Sequence, residues 1–149
     1  MKTIPFSSRA VVKQTLQWTV LTGVTLVMGQ ATALAEGTVS VLMKQSLGDI
    51  PGKTVTVLTV DYAPGTASDP HVHPGSVFAY VLEGTIVTQL AGEQPTTYTK
   101  GQSWYESPKK PDVVSRNASM TEPAKILVLL LSQEGEAIKT PVPSPESGK

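Results

Sequence analysis

From residue 54 onward the chain is written in short runs of β-branched, aliphatic and aromatic residues, each soon closed by a turn signal. The first run, 54–62, sets Val55, Val57 and Thr59 on one face and Thr56, Leu58 and Val60 on the other. Residues 77–82 end in Glu83-Gly84 and residues 85–90 in Ala91-Gly92; shorter segments follow at 96–98, 103–106 and 113–115, and the strongest run is 126–131. Strands punctuated this closely predict an all-β sandwich or barrel, and no stretch beyond the N-terminal leader carries a helical period. Several segments are apolar on both faces, as in Val77, Ala79 and Val81 against Phe78, Tyr80 and Leu82. One face is expected to line the barrel. The other is expected to pack on a second subunit or on the chain's own ends, so a homodimer is anticipated.

The ends of the chain read differently. Residues 1–35 hold Lys2, Arg9 and Lys13 with no acid, then an apolar stretch over 18–28, then Ala31-Thr32-Ala33-Leu34-Ala35. A basic start, a short apolar core and a small-x-small ending describe a secretory signal peptide, with cleavage expected after Ala35. Thr19, Thr22, Thr25 and Gln30 interrupt the run that a membrane anchor would need, so no stable anchor is expected. Arg9 stands alone, so the twin-arginine signal is unsupported. A periplasmic or secreted protein follows, with one domain over 36–139. Residues 140–149 alternate proline with polar residues and read as a disordered tail.

Removing the leader leaves nine Lys and Arg against twelve Asp and Glu. That balance excludes the basic stripe of a nucleic-acid-binding surface. Cysteine is absent, which excludes disulfides, thiolate ligands and thiol catalysis. Nitrogen and oxygen donors are all that the chain offers a metal.

The only two histidines stand in Asp69-Pro70-His71-Val72-His73-Pro74-Gly75. Alternate strand residues face the same side with Cα atoms about 6.6 Å apart, so both imidazoles can reach one ion at about 2.1 Å. Paired histidines also stand on solvated strand faces, and spacing alone leaves both readings open. The flanking prolines favour the first. They keep Asp69 and His73 out of helix and hold Pro74-Gly75 in a turn.

The stretch from Gly65 to Gly84 resembles the first cupin motif: a glycine, five residues, His-x-His, a short gap, usually a glutamate, six residues and a glycine. Gly65, His71, His73 and Gly84 fall on it, whereas the place of the glutamate is taken by Val77. Gly101, Pro108 and Asn117 fit the second motif, whose histidine position is Asp112, or Val113 by an alternative count. Over residues 47–131 the chain is therefore similar to a small single-domain bacterial cupin with an export signal. The resemblance implies a double-stranded β-helix, the jelly-roll cupin barrel. Asn117-Ala118-Ser119 also matches a glycosylation acceptor, but the cupin motif makes Asn117 a turn residue.

By that resemblance, His71, His73 and Asp112 are the metal ligands, for iron, manganese, zinc or nickel. Two imidazoles with one carboxylate are the ligand set of non-haem iron(II) oxygenases. Asp reaches about 2 Å less far than His, and the alternative for Asp112 is an exposed carboxylate beside Lys109 or Lys110. Glu106 and Tyr105 are the nearest substitutes for the carboxylate missing at Val77, and strand alternation turns only one of them inward. Val77, Tyr80, Tyr105 and Glu106 are the candidate pocket residues, with Trp104 and Phe78 either pocket or core. Two functions stay open: a binding module that captures a metal ion, a small organic ligand or both, and a metal-dependent oxygenase acting on a small organic substrate.

Overall fold

The computed structural model describes residues 36–142; the leader over 1–35 and the tail residues 143–149 lie outside the described residues. Eleven strands follow in order: β1 (Thr38–Ser46), β2 (Lys53–Tyr62), β3 (Ala67–Ser68), β4 (His71–Val72), β5 (Ser76–Glu83), β6 (Thr85–Leu90), β7 (Thr96–Thr99), β8 (Ser103–Glu106), β9 (Pro111–Asn117), β10 (Ala124–Gln133) and β11 (Thr140–Pro141). Among the described residues there is no helix. One antiparallel sheet runs β1-β2-β10-β5-β8 and the other β11-β4-β9-β6-β7, with β3 also paired to β9. This is the all-β jelly-roll barrel expected from the strand pattern.

Alternation within each strand decides which residues meet inside. In β2 the inward set is Thr54, Thr56, Leu58, Val60 and Tyr62; in β10 it is Ala124, Ile126, Val128, Leu130 and Ser132. β5 adds Val77, Ala79 and Val81, and β6 adds Ile86, so the core lies between the two sheets. Full burial of a Val or Leu side chain stabilises by about 1.5–3 kcal/mol. These positions therefore hold the sheets together.

The chain changes sheets at Gly84, between β5 and β6. Its φ is 72°, and a Cβ there would stand 2.5 Å from the Pro123 carbonyl oxygen. Only glycine meets both conditions. Asn117 closes β9 from inside: its Nδ2 donates to the carbonyls of Tyr62, Ala63 and Glu122, and its Oδ1 accepts from Ser119 N–H at 2.9 Å. Asn117 is therefore the last residue of β9, paired with Ile86, rather than the turn residue anticipated above, and its amide nitrogen is fully engaged.

Two further expectations are corrected. The strand series begins earlier than residue 54, because β1 pairs antiparallel with β2 at the sheet edge. Every residue of β1 is exposed, so no buried face marks it in the sequence. The tail does not begin at residue 140: Thr140 and Pro141 pair with Val72 and His71, and Val142 N–H donates to Pro70 O at 3.2 Å. Proline is tolerated there because β11 is the outermost strand, where a missing N–H costs no ladder bond.

Candidate functional site

Strand β4 is only two residues long, yet it carries His71 against the middle of its sheet. It pairs with β9 on one side, where His71 lies opposite Asp112, and with β11 on the other. His73 follows just beyond the strand, and Lys109 N–H donates to its carbonyl at 2.8 Å. The period of two turns both rings into the barrel. Their centroids are 4.7 Å apart at 89°.

Each ring is anchored through its Nδ1. That of His71 faces Asp69 O at 2.7 Å, and that of His73 faces Ile138 O at 2.7 Å. A carbonyl oxygen can only accept, so both Nδ1 atoms carry hydrogen and donate. The two Nε2 atoms face each other across 3.1 Å, a separation at which a proton or a metal ion can be shared between them. Burial is the main cause that lowers the His71 pKa from 6.5 to about 4, with the charges of His73 and Lys139 acting in the same sense.

The rings open on a cavity of about 260 Å³. Its apolar wall comes from β2, β5 and β10, chiefly Leu58, Val60, Val77, Ala79, Ile126 and Val128. Its polar groups come from both sheets: Tyr62 from β2 and Glu106 from β8 on one side, His71 from β4 and Asp112 and Ser115 from β9 on the other, with His73 just beyond β4. Small-molecule sites share this division, apolar over most of the surface with a few fixed polar groups. Tyr62 Oη makes hydrogen bonds with Ser68 Oγ at 2.9 Å and Ser115 Oγ at 3.1 Å, and burial raises its pKa.

Two carboxyl groups enter this space. Asp112 is 3% exposed, and its Oδ1 accepts from Val114 N–H at 3.2 Å. Burial first, and the negative charge of Glu106 second, raise its pKa from 3.8 to about 8. The pairing with Lys109 or Lys110 does not form; Lys110 instead pairs with Glu93. Glu106 is also buried. Its Oε1 accepts from Trp104 Nε1–H at 2.8 Å, and its Oε2 lies 3.8 Å from His73 Nε2.

Of the other candidate pocket residues, Val77 lies on the cavity wall. Tyr80 and Tyr105 do not reach the cavity and are corrected: both point outward, 43% and 50% exposed. Alternation is the reason, since β5 spends its odd positions inside and β8 turns Trp104 and Glu106 inward. Phe78 accompanies the two tyrosines on the outer face, 5.3 Å from Tyr105 between ring centroids. Tyr62 and Ile138 are additions that sequence reasoning missed. Tyr62 sits on the inward face of a recognisable strand; Ile138 acts through its carbonyl, which no residue type announces.

The residues can be tested against the divalent ion that the resemblance implies. At about 2.1 Å from each nitrogen, a separation of 3.1 Å subtends an N–metal–N angle of about 95°. The imidazole pair therefore fits such an ion, with both rings already oriented by their second nitrogens. Among the described residues, no three His, Asp or Glu side chains have their donors gathered around one point. The pair is preformed; a third donor is not.

Comparison with known proteins agrees with this architecture. Residues 58–130 match the family model of the cupin domain. The fold is similar to an uncharacterised double-stranded β-helix protein from Klebsiella pneumoniae subsp. pneumoniae MGH 78578, with TM-score 0.54 and 20% identity over 68% of this chain and 81% of that one. It is similar to a cupin domain from Bordetella pertussis Tohama I, with TM-score 0.53 and 15% identity over 66% and 96% of the two chains. DMSP lyase DddQ from Ruegeria pomeroyi DSS-3 is also similar, with TM-score 0.58 and 17% identity over 76% of this chain; the match spans 54% of the lyase. A search of curated proteins finds no match. Residues 58–130 thus match the cupin domain, and the double-stranded β-helix is the fold this chain shares with those structures.

Proposed function

We propose that the protein is a small-ligand-binding cupin that holds a divalent metal ion on His71 and His73 and a small organic molecule against the apolar wall of the barrel. One observation carries the reading: two imidazoles, each fixed by an Nδ1 donation, face each other through Nε2 atoms 3.1 Å apart. Such a pair is stabilised by a cation held between its nitrogens, and a divalent ion fits the separation. Asp112, the ligand expected by resemblance, contributes a carboxyl group to the same cavity.

A bound divalent ion supplies Lewis acidity and, with iron or manganese, redox chemistry. The chain's own residues supply the rest. Leu58, Val60 and Val128 exclude water from the ligand. The Tyr62 hydroxyl, held by Ser68 and Ser115, and the Asp112 carboxyl offer polar atoms that orient it. The DMSP lyase that shares the fold supports a small organic ligand in such a barrel, without identifying the one used here. A second reading, an iron or manganese oxygenase, draws on the same donors, because two imidazoles and one carboxylate leave ligand positions open. The signal-peptide pattern of residues 1–35 supports a periplasmic or secreted location for either activity.

Elemental analysis of the purified protein tests the proposal. About one equivalent of iron, manganese, zinc or nickel is expected, and its loss in His71→Ala and in His73→Ala. An equal metal content in wild type and both variants would remove the histidines from the proposal. Consumption of dioxygen with a bound organic substrate would select the oxygenase.

A further inference from the structure

We propose that Glu106 is the third ligand of this metal centre, supplying from β8 the carboxylate that Val77 lacks on β5. The inference rests on the histidine pair proposed above and goes beyond it, because position 106 lies outside the pattern that the cupin motifs prescribe.

The register carries the argument. Strands β5 and β8 are antiparallel neighbours, and Val77 stands directly opposite Glu106. Directly paired residues on one face have Cβ atoms about 4.5–5.5 Å apart, so their side chains enter the same volume. Both face the barrel, at 1% and 5% exposure. At position 77 a short branched hydrocarbon leaves that volume open. Across the ladder, Glu106 fills it with a longer arm ending in two oxygens.

Those oxygens are unequally engaged. Trp104, two residues earlier on the same face, donates its indole N–H to Oε1 at 2.8 Å. Its ring is held in turn by stacking on Tyr98, with centroids 4.8 Å apart and planes at 24°. The indole thus fixes the carboxylate with Oε2 turned to the histidines, the kind of outer contact that orients metal ligands. Oε2 lies 3.8 Å from His73 Nε2. The imidazole nitrogens are 3.1 Å apart. Each separation is shorter than two metal–ligand bonds of about 2.1 Å, so an ion can span either pair; the three donors do not yet surround one point, and binding a single ion draws Oε2 toward the histidine pair. Among the described residues no Lys or Arg pairs with Glu106. The group within reach of its Oε2 is instead His73, at 3.8 Å, and a cation bound between the two would compensate a buried carboxylate.

Asp112 is placed differently. It sits across the β4–β9 ladder from His71, and Val114 N–H occupies its Oδ1. The assigned set is His71, His73 and Glu106, with the remaining positions left for a ligand. Two nitrogens and one oxygen suit a first-row divalent transition ion.

Cobalt(II) is the probe that reads this assignment without any turnover, through its affinity and its visible absorption. The purified protein is titrated alongside His71→Ala, Glu106→Gln, Asp112→Asn and the double variant Val77→Glu/Glu106→Gln, each checked for folding by circular dichroism. Glu106→Gln is expected to weaken cobalt binding at least tenfold and to alter the spectrum. Asp112→Asn is expected to change affinity less than threefold. Val77→Glu/Glu106→Gln is expected to regain most of the loss, and it answers the question even if Glu106→Gln alone folds poorly. The opposite order, with Asp112→Asn weak and Glu106→Gln near wild type, overturns the assignment while leaving the metal reading intact. Absence of cobalt binding by the wild type, or equal binding by His71→Ala, overturns both.

Discussion

In the metal-free protein, Asp112 should make stability fall as pH rises through neutrality. Its folded pKa is raised from 3.8 to about 8 by burial and by Glu106, so the native state keeps a proton that the unfolded chain has already released. That contribution is complete below pH 3.8 and is lost as pH climbs to about 8. His71 works in the opposite sense. Its folded pKa is lowered from 6.5 to about 4, so its contribution is complete above 6.5 and lost as pH falls. Each group tilts stability by about 1.4 kcal/mol per pH unit. At 3% and 7% exposure, solvent screens neither strongly. Between pH 4 and 6.5 the two slopes nearly cancel. From 6.5 to 8 Asp112 acts alone, and about 2 kcal/mol of stability disappears. Asp112→Asn keeps the shape and cannot ionise. Urea unfolding followed by tryptophan fluorescence in the presence of a chelator, from pH 5 to 8.5, should show the decline in wild type and a flat profile in the variant over that upper interval. A flat wild-type profile, or the same decline in Asp112→Asn, would refute burial of this carboxyl as the cause.

Further outcomes follow from close approaches elsewhere. Gly75→Ala should cost about 3 kcal/mol in chemical denaturation, because its Cβ would stand 2.0 Å from Leu131 O and 2.8 Å from Ser132 Cα, both rigid backbone of β10; an unchanged midpoint would contradict the packing of β5 on β10. Asn117→Ala should lose about 3 kcal/mol by the same assay, since three carbonyls and the Ser119 N–H lose their partner together. Tyr105→Glu tests the dimer expected from the outer apolar face of Phe78, Tyr80, Tyr105 and Leu129: light scattering should change from two copies to one, and an unchanged mass would place the contact elsewhere.

Much of this protein is legible in its residue order. Strand periodicity has a period of two wherever one face is buried, so β2, β5, β6, β8 and β10 were visible to within a residue or two. The same alternation, with prolines on either side, aims His71 and His73 inward. Edge elements lack that signature. Strand β1 is exposed on both faces, and β11 is a proline-containing pair that exists only because β4 lies beside it.

The ligand question shows where local reading stops. Residue order shows that valine occupies position 77 and that only one of Tyr105 and Glu106 can face inward. It cannot show that Glu106 lies directly opposite Val77, because that pairing depends on the register of two strands separated by β6 and β7. Nor can it show that Ile138, 65 residues away, supplies the carbonyl that sets the His73 tautomer. Spacing determined the imidazole pair because neighbouring residues share one backbone geometry. Tertiary structure alone decided what surrounds that pair, because those contacts join strands whose order in space differs from their order in the chain.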